Sequence, residues 1–188
     1  MTEVEIKAVL TTEQYDRILS DAPSYGYTFE CELEECDIYM NGSGRDFMKT
    51  DEALRIRRTK NNTLKEQSAY ITYKGPKQDA VSMTRKELEA PAPDPETTQA
   101  ILEQLGFHAV LSVLKKRRKY IRGNVTLYLD RVEGLGPYLE LEQIVGDDEN
   151  YDAALDDIFE CLRQLNVPGM SVERRSYLEM LMKKKFEK

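Results

Sequence analysis

Several residue types that build common catalytic and metal sites are scarce in this chain of 188 residues. It contains no Trp, one His (His108) and three Cys (Cys31, Cys36 and Cys161). Zinc sites take clustered Cys and His ligands at short, regular spacings, so Cys31, Cys36 and His108 make a poor zinc set. His108, in the run Leu-Gly-Phe-His, has no nucleophile to activate, which argues against covalent catalysis.

Long apolar runs are also lacking. No stretch of about 18 apolar residues could span a membrane, and no apolar signal segment precedes Glu3. An odd number of cysteines without such a segment indicates reduced thiols, so we expect a cytoplasmic location. The net charge of -7 argues against general nucleic-acid or membrane binding. The length fits one domain over residues 1–188, and the sequence leaves open whether it is a monomer or a homodimer.

Charge is abundant instead, and it falls at every second position of strand-like segments. The pattern begins in Glu3-Val4-Glu5-Ile6-Lys7 and returns through Glu140-Leu141-Glu142. Successive side chains of a strand point to opposite faces, so one face is apolar and the other is charged. The charged face takes seven bases (Lys7, Arg55, Arg57, Lys74, Arg85, Lys115 and Arg117) and seven acids (Glu3, Glu5, Glu87, Glu89, Asp130, Glu140 and Glu142).

The type of charge on this face favours a binding site over an ordinary wet face. An antiparallel sheet with one solvated face is the simple alternative, and it is common. However, two carboxylates such as Glu3 and Glu5 on one face repel each other by up to roughly 2 kcal/mol at an effective dielectric constant near 20. A sheet built only for stability would place opposite charges there. The grouping therefore suggests a site for metal ions and a polyanion.

The element pattern predicts an α+β fold. Strands are expected near 2–10, 29–40, 53–59, 68–74, 82–90, 107–121, 124–132 and 137–145, helices near 11–20, 95–105 and 149–165 and from Ser176, and an exposed loop at 41–52. Eight antiparallel strands joined by short turns suggest closure, which removes the exposed edges. An apolar interior would leave the apolar helix stripes nowhere to pack. We therefore predict a closed antiparallel eight-stranded β-barrel with a charged interior and helices outside.

The chemistry of the lining indicates the class of ligand. Seven bases and seven acids are neutral together, so the lining alone would not hold a triphosphate of charge about −4, whereas two divalent ions would restore the balance. Carboxylate ligands without His or Cys clusters favour hard ions, Mg²⁺ or Mn²⁺. Arginine offers forked donors to phosphate oxygens, and lysine acts as a point charge.

The opening Glu3-x-Glu5-x-Lys7 resembles the ExExK signature of the CYTH domain, or triphosphate tunnel metalloenzyme, superfamily. Further segments follow in the order typical of that superfamily: Ala53-Leu54-Arg55-Ile56-Arg57, Thr72-Tyr73-Lys74-Gly75-Pro76, Arg85-Lys86-Glu87-Leu88-Glu89, Lys115-Lys116-Arg117, Asp130 to Gly136 and Tyr138 to Glu142. ExExK alone is a weak signal in a charged protein, but the ordered set is specific. These sequence motifs are most similar to those of the class IV adenylate cyclase-like branch.

The resemblance implies roles for individual residues. It implies metal ligation by Glu3, Glu5, Glu140 and Glu142, with Glu87 and Asp130 among or beside the ligands. It implies substrate binding by Arg55, Arg57, Lys74, Arg85, Lys115 and Arg117, and catalytic roles for Lys7, Lys74 and Asp130. Glu89 and Arg85 could instead pair with neighbouring side chains.

The resemblance also implies a metal-dependent phosphoryl transfer on a small triphosphate such as ATP. The first expectation is a class IV adenylate cyclase that converts ATP to cyclic AMP and pyrophosphate. The alternative is a triphosphatase that hydrolyses inorganic triphosphate, thiamine triphosphate or a nucleotide triphosphate, since both reactions need the same charges. A non-catalytic nucleotide or polyphosphate binder is a third hypothesis, against which the predicted metal carboxylates argue.

Overall fold

A computed structural model describes residues 2–146 and 151–186 of the chain. The strands are β1 (Thr2–Val9), β2 (Thr28–Gly42), β3 (Ala53–Asn61), β4 (Glu66–Lys74), β5 (Arg85–Pro91), β6 (Phe107–Arg122), β7 (Val125–Val132) and β8 (Gly136–Val145). The α-helices are α1 (Thr12–Asp21), α2 (Phe47–Thr50), α3 (Pro95–Gln104), α4 (Asp152–Gln164) and α5 (Tyr177–Phe186). Residues 149 and 150, where the helix predicted over 149–165 begins, lie outside the described residues.

The strands close into an antiparallel barrel in the order β1-β5-β4-β3-β2-β6-β7-β8. The barrel closes where β1 pairs with β8 over eight residues, from Thr2 opposite Val145 to Val9 opposite Tyr138. The other side of β1 is paired with β5 at two positions only, where Thr2 and Glu3 face β5. The predicted closed eight-stranded barrel is confirmed.

The outer face of the barrel is apolar, as the alternation predicted. Val4 and Ile6 of β1 and Leu139 and Leu141 of β8 are fully buried, and they form one cluster with residues of α1 and α4, among them Ile158. Burying each of these side chains stabilises the fold by about 1.5–3 kcal/mol. Packing against the helices therefore turns these residues outward and leaves the charged positions facing inward.

Helical cover of the outer face is incomplete. Leu88 of β5 is 70 % exposed and Leu114 of β6 is 42 % exposed, although both belong to the predicted apolar face. Helix α3 contacts the cluster formed by Met40, Phe47 and Leu54 through Leu102, but it buries none of its own residues. This side of the barrel therefore has a thin, partial helical layer.

Part of the segment predicted as an exposed loop at 41–52 is ordered and buried. Asp46 caps the short helix α2 by accepting from the backbone N–H of Met48, and Phe47 packs against Phe107 and Tyr73. Glu52 is also buried, because it accepts hydrogen bonds from Arg45 and neighbouring hydroxyl groups. The polar composition of the segment concealed these specific contacts.

Helix α5 closes one end of the barrel. Tyr177, Leu178 and Met180 of this helix share an apolar cluster with Tyr39, Val113, Val132 and Tyr138. Those strand residues lie two positions from inward-facing charges, so they also face the interior. The charged lining thus ends at an apolar floor. No helix among the described residues is long and apolar enough to cross a membrane.

Candidate active site

A cavity of about 330 Å³ inside the barrel brings the predicted charges together. Its lining includes every residue of the predicted charged face except Asp130. A larger groove, of about 1030 Å³, lies beside α3, but its charges largely pair with one another, for example Arg58 with Glu96 and Lys60 with Glu34. The barrel cavity, where charges of both signs are concentrated and buried, is therefore the candidate active site.

One part of the lining is a cluster of glutamates. The β1–β8 register places Glu5 opposite Glu142 and Lys7 opposite Glu140, and Glu3 lies on the same face two residues before Glu5. Glu87 of β5 joins them through Lys74, which pairs with both Glu3 (Nζ to Oε2, 2.8 Å) and Glu87. Lys74 thus holds two of the five glutamates, Glu3 and Glu87, whereas Glu140 contacts Arg117 and lies opposite Lys7.

Mutual repulsion and burial alter the acidity of this glutamate cluster. Burial, then the neighbouring Glu140 and Glu3, raise the pKa of Glu5 to about 7. Burial also raises the pKa of Glu87 to about 8, against the opposing effect of Lys74, and burial with Glu3 and Glu5 raises that of Glu142 well above its usual range. Burial would raise the pKa of Glu3 too, but Lys74, Glu87 and Arg55 together outweigh it, and the pKa is lowered. The cluster therefore retains protons near neutral pH where a cation could replace them.

The donor atoms of this cluster suit a hard divalent ion. Neither Glu5 nor Glu142 has a hydrogen-bond or ion-pair partner within the described ranges, so their carboxylate oxygens are free to ligate. Only carboxylates are offered, which fits Mg²⁺ or Mn²⁺. Among residues 2–146 and 151–186, no three acidic side chains already surround one point. The residues fit such an ion in chemistry, and binding would require some of the side chains to rotate.

The opposite part of the lining is a cluster of bases. Arg57 makes a forked contact with Asp37 (Nε–Oδ1 2.6 Å, Nη2–Oδ2 2.7 Å), and Lys115 Nζ lies 3.0 Å from both Asp37 and Glu35. Arg55 is 3.6 Å from Asp37. Arg117 contacts Glu140, which links this cluster to the glutamates. Carboxylates behind the bases hold their donor groups in fixed positions, as a phosphate clamp requires.

Two acids of this cluster, Glu35 and Asp37, were not predicted as site residues. They are 6 % and 1 % exposed and lie behind the bases, outside the lining of the cavity. The lining itself holds nine acids against seven bases, because Asp51, Glu52 and Glu179 join six of the predicted acids, so the predicted neutrality of the lining was wrong. The signal was present, because Glu35-x-Asp37-x-Tyr39 shows the same alternation as the other strands.

Three of the predicted site residues are engaged in ways that favour a supporting role. Asp130 is fully buried, with its oxygens accepting from Arg117 (2.7 and 2.6 Å) and from the hydroxyl of Tyr177 (2.9 Å). Arg85 donates to the backbone carbonyls of Asp51 and Gly75. Glu89 is exposed and accepts from the Thr72 hydroxyl at 2.7 Å. The predicted metal, substrate and catalytic roles of these residues stay predictions.

The two lysines with predicted catalytic roles have different surroundings. Lys74 is held by Glu3 and Glu87, which raise its pKa against the opposing effect of burial. Lys7 is 1 % exposed and, in the part of the chain that the structure describes, has no carboxylate within 4.0 Å of its Nζ. Burial lowers the pKa of Lys7, although Glu5 and Glu140 oppose this.

Aromatic residues in the lining were not predicted. The guanidinium carbon of Arg117 lies 4.1 Å from the ring centroid of Tyr128, and Lys7 Nζ lies 4.9 Å from that of Tyr177. The alternation marks Tyr128 as inward-facing, two residues before Asp130. For Tyr177 the sequence offered no signal, because it belongs to a helix.

The protein is thus an antiparallel eight-stranded barrel with helices outside and a tunnel lined by buried acids and bases. The chain belongs to the CYTH domain family, whose model matches residues 1–177. The resemblance carried by the ExExK opening and the segments that follow it is thereby confirmed.

Individual relatives agree with this assignment. A Methanocaldococcus jannaschii protein named as a candidate adenylate cyclase is 38 % identical over 180 residues, which cover 96 % of this chain and 98 % of the relative. A solved Pyrococcus horikoshii structure is 39 % identical, with a TM-score of 0.87, covering 97 % of this chain and 99 % of the other. A Hippeastrum candidate adenylyl cyclase described as having a dominant triphosphatase activity shares the fold, at 16 % identity and a TM-score of 0.65, covering 98 % of this chain and 95 % of the other.

Proposed function

We propose that this protein is a metal-dependent phosphoryl-transfer enzyme that acts on a triphosphate bound inside the barrel. One observation carries the proposal: arginine and lysine side chains face the same buried cavity as two carboxylates, Glu5 and Glu142, that have no partner among the described residues. A cavity of about 330 Å³ lies at the lower end of the range for ligand sites, roughly 300–1,000 Å³, and suits a phosphate chain.

The carboxylate side of the cavity would hold the metal. Glu3, Glu5, Glu140 and Glu142 are the residues we assign to one or two Mg²⁺ or Mn²⁺ ions, with Glu87 beside them. When bound, such ions neutralise phosphate charge and polarise the phosphoryl group. Their positive charge would also offset the excess of acids in the lining and relieve the repulsion that raises the pKa of Glu5.

The basic side of the cavity would hold the phosphate chain. Asp37 takes one fork of Arg57 and Asp130 takes one fork of Arg117, so these two arginines would turn their remaining N–H groups to the phosphate oxygens. Arg55 would add further N–H donors, and Lys7 and Lys115 would add point charges. Because Asp37 and Asp130 fix two of these guanidinium groups before substrate arrives, little reorganisation is needed to stabilise charge as it develops. The reaction this arrangement supports is an in-line displacement at phosphorus by water or by a substrate hydroxyl.

For the specific reaction, we propose conversion of ATP to cyclic AMP and pyrophosphate. The ribose 3′-hydroxyl would attack the α-phosphate and pyrophosphate would leave. Two observations support this reaction: the name of the Methanocaldococcus jannaschii relative and the similarity of the sequence motifs to those of class IV cyclases.

A second reaction, hydrolysis of a triphosphate at its terminal phosphate, needs only the charged part of the lining. Sixteen of the 26 residues that line the cavity are charged, and inorganic triphosphate with its metal ions requires no other contact. The remaining residues are mostly apolar or aromatic, among them Phe47, Met48 and Ile144, and they offer contact to a nucleobase, so the lining accommodates both reactions.

Product analysis separates the two reactions. With ATP and Mn²⁺ or Mg²⁺, a cyclase gives cyclic AMP and pyrophosphate in equal amounts. A triphosphatase gives ADP and orthophosphate and also hydrolyses inorganic triphosphate. Glu5→Ala should abolish either reaction, and Glu66→Gln, at an exposed position of β4, is the matched control. Tight binding without turnover of any triphosphate would overturn the proposal in favour of a non-catalytic binder.

A further inference from the structure

Tyr177 lies where helix α5 meets the phosphate side of the cavity. It is the first residue of α5, and the helix start is fixed by a capping box: Ser176 Oγ accepts from the Glu179 N–H at 3.1 Å, and the Glu179 carboxylate accepts from the Ser176 N–H. The Tyr177 side chain is 5 % exposed and packs edge-on against Tyr138, with 5.0 Å between ring centroids. The ring is therefore held rigidly at the closed end of the barrel.

Two cations of the proposed clamp lie over this one ring. Lys7 Nζ is 4.9 Å and Lys115 Nζ is 5.7 Å from the centroid of Tyr177, both within the range of cation–π attraction. Lys115 also has Glu35 and Asp37 as partners. Lys7 has no carboxylate within 4.0 Å among the described residues, so the ring is the contact that positions its ammonium group.

An aromatic ring holds a lysine differently from a carboxylate. A carboxylate neutralises the charge and takes up an N–H donor, whereas a ring attracts the ammonium group through its quadrupole without accepting its conventional hydrogen bonds. A lysine held by a ring thus keeps its N–H donors available for an incoming anion. This is the state in which a phosphate-binding lysine is most useful.

The hydroxyl of the same residue acts on a third cation. Tyr177 Oη donates to Asp130 Oδ2 at 2.9 Å, and Asp130 makes the forked contact that orients Arg117. Asp130 is fully buried, so its alignment depends on these partners alone in the described structure.

We propose that Tyr177 is a positioning residue for the triphosphate clamp, placing Lys7 by its ring and Arg117 by its hydroxyl through Asp130. This inference rests on the proposed function, since the clamp is taken to bind a triphosphate. It makes the closing helix α5 part of the binding machinery as well as a plug of the barrel.

Two variants separate the actions of the ring and the hydroxyl. Tyr177→Phe keeps the ring and loses the hydroxyl, and Tyr177→Leu loses both. Matched controls are Tyr138→Phe, which removes a hydroxyl whose one hydrogen-bond partner among the described residues is Met180 Sδ, and Tyr120→Leu, which removes a buried ring on the opposite, outer face. Neither control residue contacts a clamp cation in the described structure. Urea unfolding checks that all four variants are folded.

The readout is binding of inorganic imidotriphosphate, whose bridges resist cleavage, measured by calorimetry with Mg²⁺ present. Tyr177→Phe should weaken binding by a few-fold, and Tyr177→Leu by about tenfold or more. In a Lys7→Met background the difference between Phe and Leu at position 177 should shrink markedly, because the ring then has no Lys7 to place. A purely structural role would not depend on Lys7.

The outcomes are distinct for the two proposals. Unchanged affinity in Tyr177→Phe and Tyr177→Leu, or an undiminished difference between Phe and Leu in the Lys7→Met background, would overturn the role of Tyr177 while wild-type turnover still supported the enzyme. Should Tyr177→Leu not fold, unchanged affinity in Tyr177→Phe would refute the hydroxyl's role by itself. Wild-type binding of the probe without turnover of any triphosphate would refute the proposed enzymatic function, while the expected effects of the Tyr177 variants on binding would still support the positioning role. No wild-type binding of the probe would overturn both.

Discussion

Replacing Glu5 by Gln in the metal-free protein tests the carboxylate cluster through folding stability. Glu5 is 9 % exposed, and burial with Glu140 and Glu3 raises its pKa to about 7 from an ordinary value of 4.5. The folded state therefore binds this proton more tightly than the unfolded state. The resulting stabilisation is present below pH 4.5 and is lost as the pH rises through 7.

The magnitude follows from the two pKa values. Their difference corresponds to about 3 kcal/mol over the whole titration, of which about 2 kcal/mol falls between pH 5.5 and pH 8, so metal-free wild type should lose about that much stability through Glu5 in this interval. Gln does not ionise, so Glu5→Gln should lose much less over the same interval. At pH 8 without metal, the variant is expected to be more stable than wild type.

Urea unfolding in a chelating buffer at pH 5.5 and pH 8 measures the stability of wild type and Glu5→Gln, with Glu66→Gln as the control at an exposed site. Excess Mg²⁺ at pH 8 should stabilise wild type more than Glu5→Gln, because the ion replaces the lost protons. Equal stability of wild type at the two pH values, or a variant less stable than wild type at pH 8, would refute the reasoning.

Three further outcomes are expected. Glu140→Ala should lower kcat about 100-fold or more at saturating Mg²⁺ or Mn²⁺, as steady-state kinetics would show, and near-wild-type turnover would reject the assignment. Mg²⁺ binding near pH 7 should release protons, because Glu5 and Glu87 retain them (pKa about 7 and about 8). Calorimetry in two buffers of different ionisation enthalpy detects the proton release, and binding heats that do not depend on the buffer would contradict the expectation. Leu141→Ala, at a fully buried position under the helices, should cost about 2–5 kcal/mol in urea unfolding, and a cost below about 1 kcal/mol would mean that the outer face is not a packed core.

The division between the two faces could be read from the sequence. Side-chain alternation is a local property of a strand, so Glu3-Val4-Glu5-Ile6-Lys7 already states which residues share a face. The burial of Val4 and Ile6 against the helices then follows, because an amphipathic helix must cover an apolar surface. The helix that packs there was visible in its own period, with Ile158 on the buried stripe.

One site residue that was not predicted, Asp37, could have been found from its neighbours in the sequence. Asp37 obeys the same alternation as those neighbours, but β2 is 15 residues long and has register shifts after Phe29 and Tyr39, which make the inward and outward positions of a long strand hard to assign. The exposure of Leu88 and Leu114 could not be predicted from neighbouring residues, because it depends on where α3 lies on the barrel.

The barrel, its charged interior and most of the residues that line it were predictable from the amino-acid pattern, because they follow from a two-residue period and from the need to bury apolar surface. Which charges meet was not predictable, because it depends on how the elements pack. Barrel closure brings Glu5 of β1 beside Glu142 of β8, and helix packing inserts Tyr177 beneath Lys7. Contacts between residues so far apart in the chain are set by strand register and helix docking, which no local pattern encodes.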